Sequence, residues 1–304
     1  MHCTIHQLEI FLKVYEHQSI TQASKNLHLS QPAVSIQLKK LQEQFDIPLF
    51  DYIGRGISIT EFGEEVAQSA KAILDEYKNL SSKADLHKNL LTGKLKIMSV
   101  STGKYIIPYL LTDFIKQHPT IELKLDVKNK QEVERALEKN EVDFALVSEI
   151  PEKMNLEFET LMDNRLFMIG DKHCKIDKIN DLESFINNNQ IIFREQGSAT
   201  RNNMERFFKE SKIKVDVKIE LTSNEAIKQA VMAGLGYSIM PQIGIVNELD
   251  NKSLKIIEVE GLPIITSWNI VWLKGKNLSP VAERYLSYIQ SQKSRMTSSI
   301  INPK

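Results

Sequence analysis

Apolar residues near the N-terminus recur at spacings of three and four, which is the period of an amphipathic helix. The first stripe consists of Ile5, Leu8, Phe11, Leu12 and Tyr15. Ser19 can cap a short second helix whose inward face carries Ala23 and Leu27. The turn His28-Leu29 follows, and Ser30 can cap a third helix. The pattern therefore predicts three short helices in succession.

The predicted third helix has one apolar and one mostly polar face. The apolar face consists of Val34, Leu38, Leu41 and Phe45, and the opposite face of Gln31, Ser35, Ile36 and Lys39. Pro32 lies in the first turn, where its missing N–H costs nothing. Two short helices joined by a tight turn are typical of the helix-turn-helix, whose second helix enters the major groove of DNA.

The side chains on the opposite face suit the edges of base pairs. Gln31 can form two hydrogen bonds with adenine, Ser35 can bond a base or a phosphate, and Ile36 can pack on a thymine methyl group. Lys39 suits phosphate, a contact that positions a protein without reading the sequence. We therefore expect this face to bind double-stranded promoter DNA.

A hairpin is predicted after the third helix. Two short β-prone stretches flank Gly54-Arg55-Gly56, so Arg55 is expected at the tip of a wing that can reach DNA. Periodicity alone also allows a small helical bundle capped by a hairpin, with Arg55 merely solvated.

From Thr60 the spacing changes to that of one long helix. The apolar positions Val66, Ala70, Ile73, Tyr77, Leu80, Ala84 and His87 alternate steps of four and three, as in a heptad seam. A helix of about 28 residues is ~42 Å long, which is too long to be hidden in a small domain. We expect it to pair with the same helix of a second copy, and a simple buried helix is the alternative.

After Thr92-Gly93 predicted strands alternate with predicted helices. The first group has strands at 95–100, 121–127 and 143–148 and helices at 105–117 and 131–139. The second group has strands at 191–193, 215–221 and 237–240 and helices at 201–210 and 225–233. The apolar positions of 130–146 and 224–240 mostly correspond, which indicates two similar α/β lobes around a cleft.

Small polar residues begin several of these helices. They are Ser101-Thr102-Gly103, Lys128-Asn129, Gly197-Ser198-Ala199-Thr200 and Ser223-Asn224. Helix N-termini gather at the carboxyl ends of strands in an open parallel sheet, and their N–H groups favour anions. Lys104 and Arg201 add positive charge one turn into two of the helices. We expect a small anion to bind there; helix capping alone is the alternative.

Composition and charge restrict the class of protein. The chain has 304 residues, of which 42% are hydrophobic and 26% charged, and we expect neither a membrane span nor a secretory signal. Cys3 and Cys174 are far apart, so we expect no disulfide, no metal site and a cytoplasmic location. No motif of a catalytic nucleophile, a phosphate-binding glycine loop or spaced metal ligands is present, and we expect no enzyme activity.

The net charge argues mildly against DNA binding. The whole chain is neutral, and residues 1–59 carry five basic side chains (Lys13, Lys25, Lys39, Lys40 and Arg55) against five acidic ones. Most DNA-binding domains have a more basic surface. The case for DNA binding therefore depends on pattern and local placement.

The segment from Ser19 to Gly63 resembles the N-terminal signature of the LysR-type transcription regulators. The matching residues are Ala23, Ser30-Gln31-Pro32-Ala33-Val34-Ser35, Leu41, Leu49-Phe50, Arg55, Thr60 and Gly63. The resemblance implies base and phosphate contacts at Gln31, Pro32, Ser35, Ile36 and Arg55. Tyr52 and Ile36 stand where members commonly carry Arg and a basic or polar residue. Both departures remove charge from the expected DNA interface, so we expect the affinity for DNA to depend more on the avidity of a dimer.

Residues 95–291 resemble the effector-binding domain of the same family, which has the fold of periplasmic solute-binding proteins. Ser101-Thr102 fits its first lobe, 224–226 fits its second, and Ser148 falls on a position that faces the cleft. The segments 101–105, 194–201 and 273–279 look most like regulators of carbon-fixation operons and of sulfur assimilation. That branch commonly senses phosphorylated metabolites or small anions. Gln196 and Ala199 replace the usual Pro and Gly, so the identity of the ligand does not carry over.

These patterns predict an all-α winged helix-turn-helix with a long linker helix, followed by a two-lobed α/β domain like that of periplasmic binding proteins. The expected domains are 1–60 for DNA binding, 61–91 for the linker and dimerisation helix, and 92–304 for effector binding. Lobe I is expected at about 92–162 and 267–291, and lobe II at about 163–266.

The predicted function is sequence-specific transcription regulation, as activator or repressor, modulated by a small anionic effector between the lobes. The expected effector is sulfate or a phosphorylated metabolite, with no cofactor. The alternative is an architectural or constitutive regulator whose C-terminal domain serves only oligomerisation. Expected partners are promoter DNA, a second copy bound through the linker helix, a homotetramer and RNA polymerase, with no membrane.

The predicted site residues form two groups. The expected DNA contacts are Gln31, Pro32, Ser35, Ile36, Lys39 and Arg55. The expected effector contacts are Ser101, Thr102, Lys104, Ser148, Ser198, Thr200, Arg201 and Asn224.

Overall fold

A computed structural model describes residues 2–53, 56–86 and 91–301. The chain divides into two compact units, Met1–Leu90 and Leu91–Lys304. Within the described ranges, no helix combines the length and the apolarity that crossing a membrane requires.

Three helices begin the N-terminal unit: α1 at Ile5–His17, α2 at Ile20–Leu27 and α3 at Gln31–Gln42. Ser19 and Ser30 cap α2 and α3 as predicted, since each hydroxyl accepts a hydrogen bond from the backbone N–H three residues later. His28 has a φ of 53°, in the left-handed region that ends α2 and turns the chain toward α3. The predicted helix-turn-helix is therefore present.

The apolar stripes of these helices meet in one core. Phe11, Val34, Leu38 and Leu41 are fully buried, whereas Ile36 on the other face of α3 is 54% exposed. Burial of one large apolar side chain stabilises a fold by about 1.5–3 kcal/mol. The core therefore fixes the rotation of α3 and leaves its opposite face in solvent.

The predicted hairpin is also present. Strands β1 (Phe50–Ile53) and β2 (Gly56–Ile59) pair antiparallel, with Phe50 opposite Ile59. Phe50 and Ile57 are buried, so the hairpin packs on the helical core. Arg55, at the predicted tip, lies outside the described residues.

The long helix α4 spans Glu61–Leu86, which is about 39 Å at the helical rise per residue. Its first turns belong to the N-terminal unit, because Ala67, Ala70 and Leu74 are buried in that core and Val66 packs against it. The predicted seam is therefore wrong in its first part: Val66 and Ala70 already have a partner.

The later seam positions of α4 face solvent. Ile73, Tyr77 and Leu80 are 45%, 52% and 59% exposed. The side chain of Ala84 and the whole of His87 lie outside the described residues. Ile73, Tyr77 and Leu80 form an apolar line on α4 that the described part of the chain leaves exposed.

The C-terminal unit begins with strands and helices in alternation. They are β3 (Gly93–Val100), α5 (Ile107–Gln117), β4 (Ile121–Lys128), α6 (Lys130–Glu138) and β5 (Phe144–Val147). β3 pairs in parallel with both β4 and β5. The prediction of a helix from residue 105 was wrong at its start. Ser101–Tyr105 form a 3₁₀ turn, and α5 begins at Ile107 with Pro108 in its first turn.

The rest of the unit contains seven strands and five helices among the described residues. The strands are β6 (Leu156–Asp171), β7 (Lys178–Ile179), β8 (Ile192–Arg194), β9 (Ile219–Leu221), β10 (Ser238–Pro241), β11 (Leu254–Val259) and β12 (Ile264–Leu273). The helices are α7 (Leu182–Asn188), α8 (Ala199–Glu210), α9 (Asn224–Met232), α10 (Val246–Asp250) and α11 (Pro280–Ile301). The strand predicted at 215–221 is shorter, because its pairing with β8 covers 219–221.

Three clusters of buried apolar residues, one in the first part of the fold and two in the second, divide this unit into lobes. The first cluster uses buried residues within 95–161 and 268–289, and the other two use buried residues within 166–259. We call the part around the first cluster lobe I and the part around the other two lobe II. β6 and β12 pair antiparallel and pass from one lobe to the other, with a register shift between Trp268 and Asn269. The predicted two-lobed α/β fold is confirmed.

Candidate functional site

The exposed face of α3 is the candidate DNA interface. Gln31, Pro32, Ile36 and Lys39 are exposed there, and Ser35 is half-buried. One surface therefore carries five of the six residues predicted to contact DNA. The sixth, Arg55, lies outside the described residues.

Gln31 has a partner that the sequence reasoning missed. Its Nε2 donates a hydrogen bond to Thr21 Oγ1 of α2 at 2.9 Å. The amide keeps a second N–H and its carbonyl oxygen, so it can still donate to adenine N7 and accept from N6. Thr21 therefore positions Gln31 without using up the groups that would read a base.

A small polar cavity lies between lobe I and lobe II. Its lining consists of Val100, Ser101, Thr102, Asn129 and Lys130 from lobe I and Arg194, Ser198, Ala199 and Thr200 from lobe II. The structure thus brings four predicted effector residues together: Ser101, Thr102, Ser198 and Thr200. The volume is about 10 Å³, close to the ~10–15 Å³ that one water molecule requires. The two lobes are therefore in close contact at this point.

The polar residues predicted at the helix starts are not all helix caps. Asn129 caps α6 by accepting from Glu132 N at 2.9 Å, and Ser223 caps α9 by accepting from Ala226 N at 3.0 Å. Ser198 is the N-cap residue of α8, but its side chain makes no capping hydrogen bond although it is buried. Since the Ser198 hydroxyl is not used as a cap, it is available to a ligand in the cavity.

Arg194, at the end of β8, is a cation of the cavity that the sequence reasoning did not single out. Its side chain is 1% exposed. Nε and Nη2 donate to the Glu195 carboxylate at 2.7 and 2.8 Å, and Nη1 donates to Asn224 Oδ1. The available signal was its place at a strand end, three residues before the run of small residues 197–200.

Asn224 reaches the site through Arg194. The residue is buried, and its Nδ2 has no hydrogen-bond partner. Asn224 therefore holds Arg194 in place and leaves an unused N–H donor beside it, and it is not itself part of the cavity lining.

Two predicted cations lie outside the cavity lining. Arg201 donates to Glu205 at 2.6 Å, to Glu220, and to the Arg194 carbonyl oxygen at 3.0 Å. Burial alone would lower the pKa of Arg201, but its hydrogen bonds to the two carboxylates give a net increase. Its charge is balanced within lobe II, so it positions α8 against β8 and β9. Lys104 Nζ lies 4.9 Å from the ring centroid of Tyr105, a cation–π distance.

A wider cleft of about 940 Å³ shares Lys130 with the small cavity. Ser148 lines this cleft, so the structure places it apart from the other predicted hydroxyls. Lys130 Nζ lies 2.9 Å from Glu149 Oε2, and Glu149 Oε1 lies 3.5 Å from Arg206 Nη2 of α8. A carboxylate of lobe I thus contacts a cation of lobe II.

Across residues 2–53, 56–86 and 91–301, no three His, Cys, Asp or Glu side chains come together as a metal site requires. Cys3 and Cys174 are both free thiols.

Two protein-family models match the chain. Residues 5–64 match the bacterial regulatory helix-turn-helix proteins of the lysR family, and residues 88–294 match the LysR substrate binding domain. The two matches correspond to the two compact units.

Individual relatives agree with these models. The HTH-type transcriptional activator CmpR of Synechocystis sp. is 37% identical over 291 residues, which is 94% of each chain. The RuBisCO operon transcriptional regulator of Allochromatium vinosum is 35% identical over 304 residues, or 97% of this chain and 98% of that one. The Synechocystis PCC6803 CcmR regulatory domain, solved in complex with 2-PG, is 34% identical with a TM-score of 0.62, covering 67% of this chain and 99% of that one. The chain therefore belongs to the LysR family of bacterial transcription regulators.

Proposed function

We propose that this LysR-family protein regulates carbon-fixation genes and that a small phosphorylated carboxylate controls its action at promoter DNA. The observation that carries the proposal is the buried guanidinium of Arg194 among hydroxyl groups between two lobes. Two relatives are a RuBisCO operon regulator and CcmR, whose domain was solved with 2-PG, 2-phosphoglycolate. These names support a phosphorylated ligand, and sulfate is the second anion to test.

The groups around the small cavity suit a phosphate or carboxylate. A guanidinium presents a planar fork of N–H groups that matches two oxygens of either anion. Ser198 and Thr200 lie at the start of α8, where backbone N–H groups and the helix dipole favour negative charge. Ser101, Thr102 and Lys130 face them from lobe I.

The size of the cavity links binding to motion. A ligand of several non-hydrogen atoms cannot enter about 10 Å³ unless the lobes separate. Binding therefore selects a wider arrangement of lobe I and lobe II, which shifts the population of conformations. The hinge lies in β6 and β12, which pass from one lobe to the other.

The DNA-reading half uses the exposed face of α3. We assign base contacts to Gln31, Ser35 and Ile36 and phosphate contacts to Lys39 and Arg55. Pro32 is assigned a packing contact with the DNA backbone. In this account residues 1–60 bind DNA, 61–91 link and dimerise, and 92–304 bind the effector. The protein acts in the cytoplasm, where promoter DNA lies.

Dimerisation rests on the exposed part of α4. Ile73, Tyr77 and Leu80 form an apolar line that a second α4 can cover. A dimer places two α3 helices on two half-sites of one promoter. Pairs of dimers then form a homotetramer, and RNA polymerase is the partner through which DNA binding affects transcription.

The direct test of this proposal is a ligand titration of the full-length protein followed by DNA footprinting. Thermal denaturation with 2-phosphoglycolate, inorganic phosphate and sulfate measures binding, since a ligand at ~100 times its dissociation constant adds ~2.7 kcal/mol to stability. We expect 2-phosphoglycolate to stabilise the protein and to change the footprint. Stabilisation by none of the three anions would favour a C-terminal domain that serves only oligomerisation.

A further inference from the structure

Arg194 and Glu195 form a two-pronged ion pair beside the small cavity. Nε and Nη2 of Arg194 lie 2.7 and 2.8 Å from the two Glu195 carboxylate oxygens, so the carboxylate occupies one edge of the guanidinium fork. Arg194 is 1% exposed and Glu195 17%. The edge that a phosphate would bind best is therefore already taken by a carboxylate of the protein.

The backbone of Glu195 is fixed by two hydrogen bonds, whereas its carboxylate is bound only to Arg194 among the described residues. Its N–H donates to the Leu221 carbonyl at 3.1 Å, and its carbonyl accepts from Ser198 N at 3.2 Å. Among the described residues, the Glu195 carboxylate forms hydrogen bonds and an ion pair only with Arg194. Rotation about the side-chain bonds can thus release the carboxylate without unfolding the turn before α8.

Asn224 supplies an independent observation beside the same guanidinium. It is 1% exposed, its Oδ1 accepts from Arg194 Nη1, and its Nδ2 is buried with no partner. Unused buried donors are rare because each one costs free energy. An anion that binds to Arg194 would bring an acceptor to this donor, which Glu195 does not do.

We propose that Glu195 is a built-in competitor of the effector: it neutralises Arg194 while the lobes are closed, and an anionic ligand displaces it. This inference rests on the proposed function, because it needs an anion at Arg194. A buried guanidinium without a counter-charge is strongly unfavourable. Glu195 therefore stabilises the empty, closed form and lowers affinity for the ligand by the same interaction.

A second ion pair in lobe II provides a matched control. Arg201 is also buried and donates to Glu205 at 2.6 Å, but it does not line the cavity. Glu205→Gln weakens an arginine–carboxylate pair of the same lobe without changing the charge next to Arg194.

The test is calorimetric titration of full-length protein with 2-phosphoglycolate and, separately, with inorganic phosphate. Glu195→Gln should bind 2-phosphoglycolate about tenfold tighter or more, while its melting temperature without ligand falls below that of the wild type. Glu195→Asp, with a shorter carboxylate, should give an intermediate affinity, and Glu205→Gln should bind as the wild type does. A merely structural role for Glu195 would lower stability and affinity together.

The outcomes separate this inference from the proposed function. If the wild type binds and folded Glu195→Gln binds equally or more weakly, the competitor role is overturned but the proposed function is not. If Glu195→Gln does not fold, Glu195→Asp carries the test, and affinity at or below the wild-type value overturns the role. Binding by Glu195→Gln but not by the wild type supports it. Absence of binding to both anions in all variants overturns the proposed function and this inference with it.

Discussion

Glu149 of lobe I lies 3.5 Å from Arg206 of lobe II, so an ion pair crosses the wider cleft. Lys130 holds the other oxygen of Glu149 at 2.9 Å. Arg206 is 54% exposed, and exposed pairs contribute at most about 1 kcal/mol. A contact this weak can favour the closed lobes and still break when they separate.

We therefore expect Arg206→Ala to loosen the lobes without unfolding the protein. Amide hydrogen exchange should rise at 148–154 and in the first turn of α8, while global stability changes by less than about 1 kcal/mol. Arg165→Ala is the control, because Arg165 pairs with Asp163 outside the cleft lining and is similarly exposed at 53%. Equal exchange in Arg206→Ala and wild-type protein would show that the pair does not hold the lobes.

Two serines at helix starts should behave in opposite ways. Ser198 makes no side-chain cap, whereas Ser223 caps α9. Ser198→Ala should weaken binding of 2-phosphoglycolate about tenfold with little change in stability. Ser223→Ala should lower stability by about 1 kcal/mol and keep the affinity. Calorimetry and denaturant unfolding measure the two quantities, and the reverse result would make Ser198 the structural residue.

The Gln31–Thr21 hydrogen bond predicts which changes alter DNA sequence preference. Gln31→Ala should remove about 1–3 kcal/mol of the binding free energy that distinguishes the preferred base at one base pair. Thr21→Val should reduce the same preference, because Gln31 loses its 2.9 Å hydrogen bond to Thr21. Selection of binding sites from a random DNA library measures this.

Lys39→Gln serves as the control for those variants. It should weaken binding to all DNA sequences alike. It should also lower the slope of log affinity against log salt concentration by about one unit. A selected site unchanged by Gln31→Ala would remove Gln31 from the base contacts.

The exposed line on α4 predicts the effect of one charge. Leu80, 59% exposed, should face its counterpart in the dimer, so Leu80→Glu should dissociate dimers and weaken DNA binding. The N-terminal core is expected to stay folded, since Ala67, Ala70 and Leu74 form its contact with α4. Gln68→Glu, at an exposed position of α4, is the control. If Leu80→Glu still sediments as a dimer, the dimer interface lies elsewhere.

Features with a local cause could be predicted from the sequence. Ser19 and Ser30 cap α2 and α3 because a hydroxyl reaches the N–H three residues along the same chain. The burial of Val34 and Leu38 follows equally from helical spacing. The fold class and the α3 face were therefore accessible without coordinates.

Features that depend on distant parts of the chain were not accessible. Arg201 was predicted as a ligand contact because its charge follows a helix start, but Glu220 from β9 and Glu205 from the next turn neutralise it. Arg194 was missed because its burial and its contact with Asn224, thirty residues later, depend on the tertiary fold. The first part of the α4 seam was assigned to a dimer because periodicity does not say which neighbour an apolar face meets.

Calorimetric titration of the full-length wild-type protein with 2-phosphoglycolate tests the central claim most directly. The account predicts saturable binding at one site per protomer, which Ser198→Ala weakens and Ser223→Ala does not. A protein that binds its selected DNA site but binds neither 2-phosphoglycolate, inorganic phosphate nor sulfate would contradict the account.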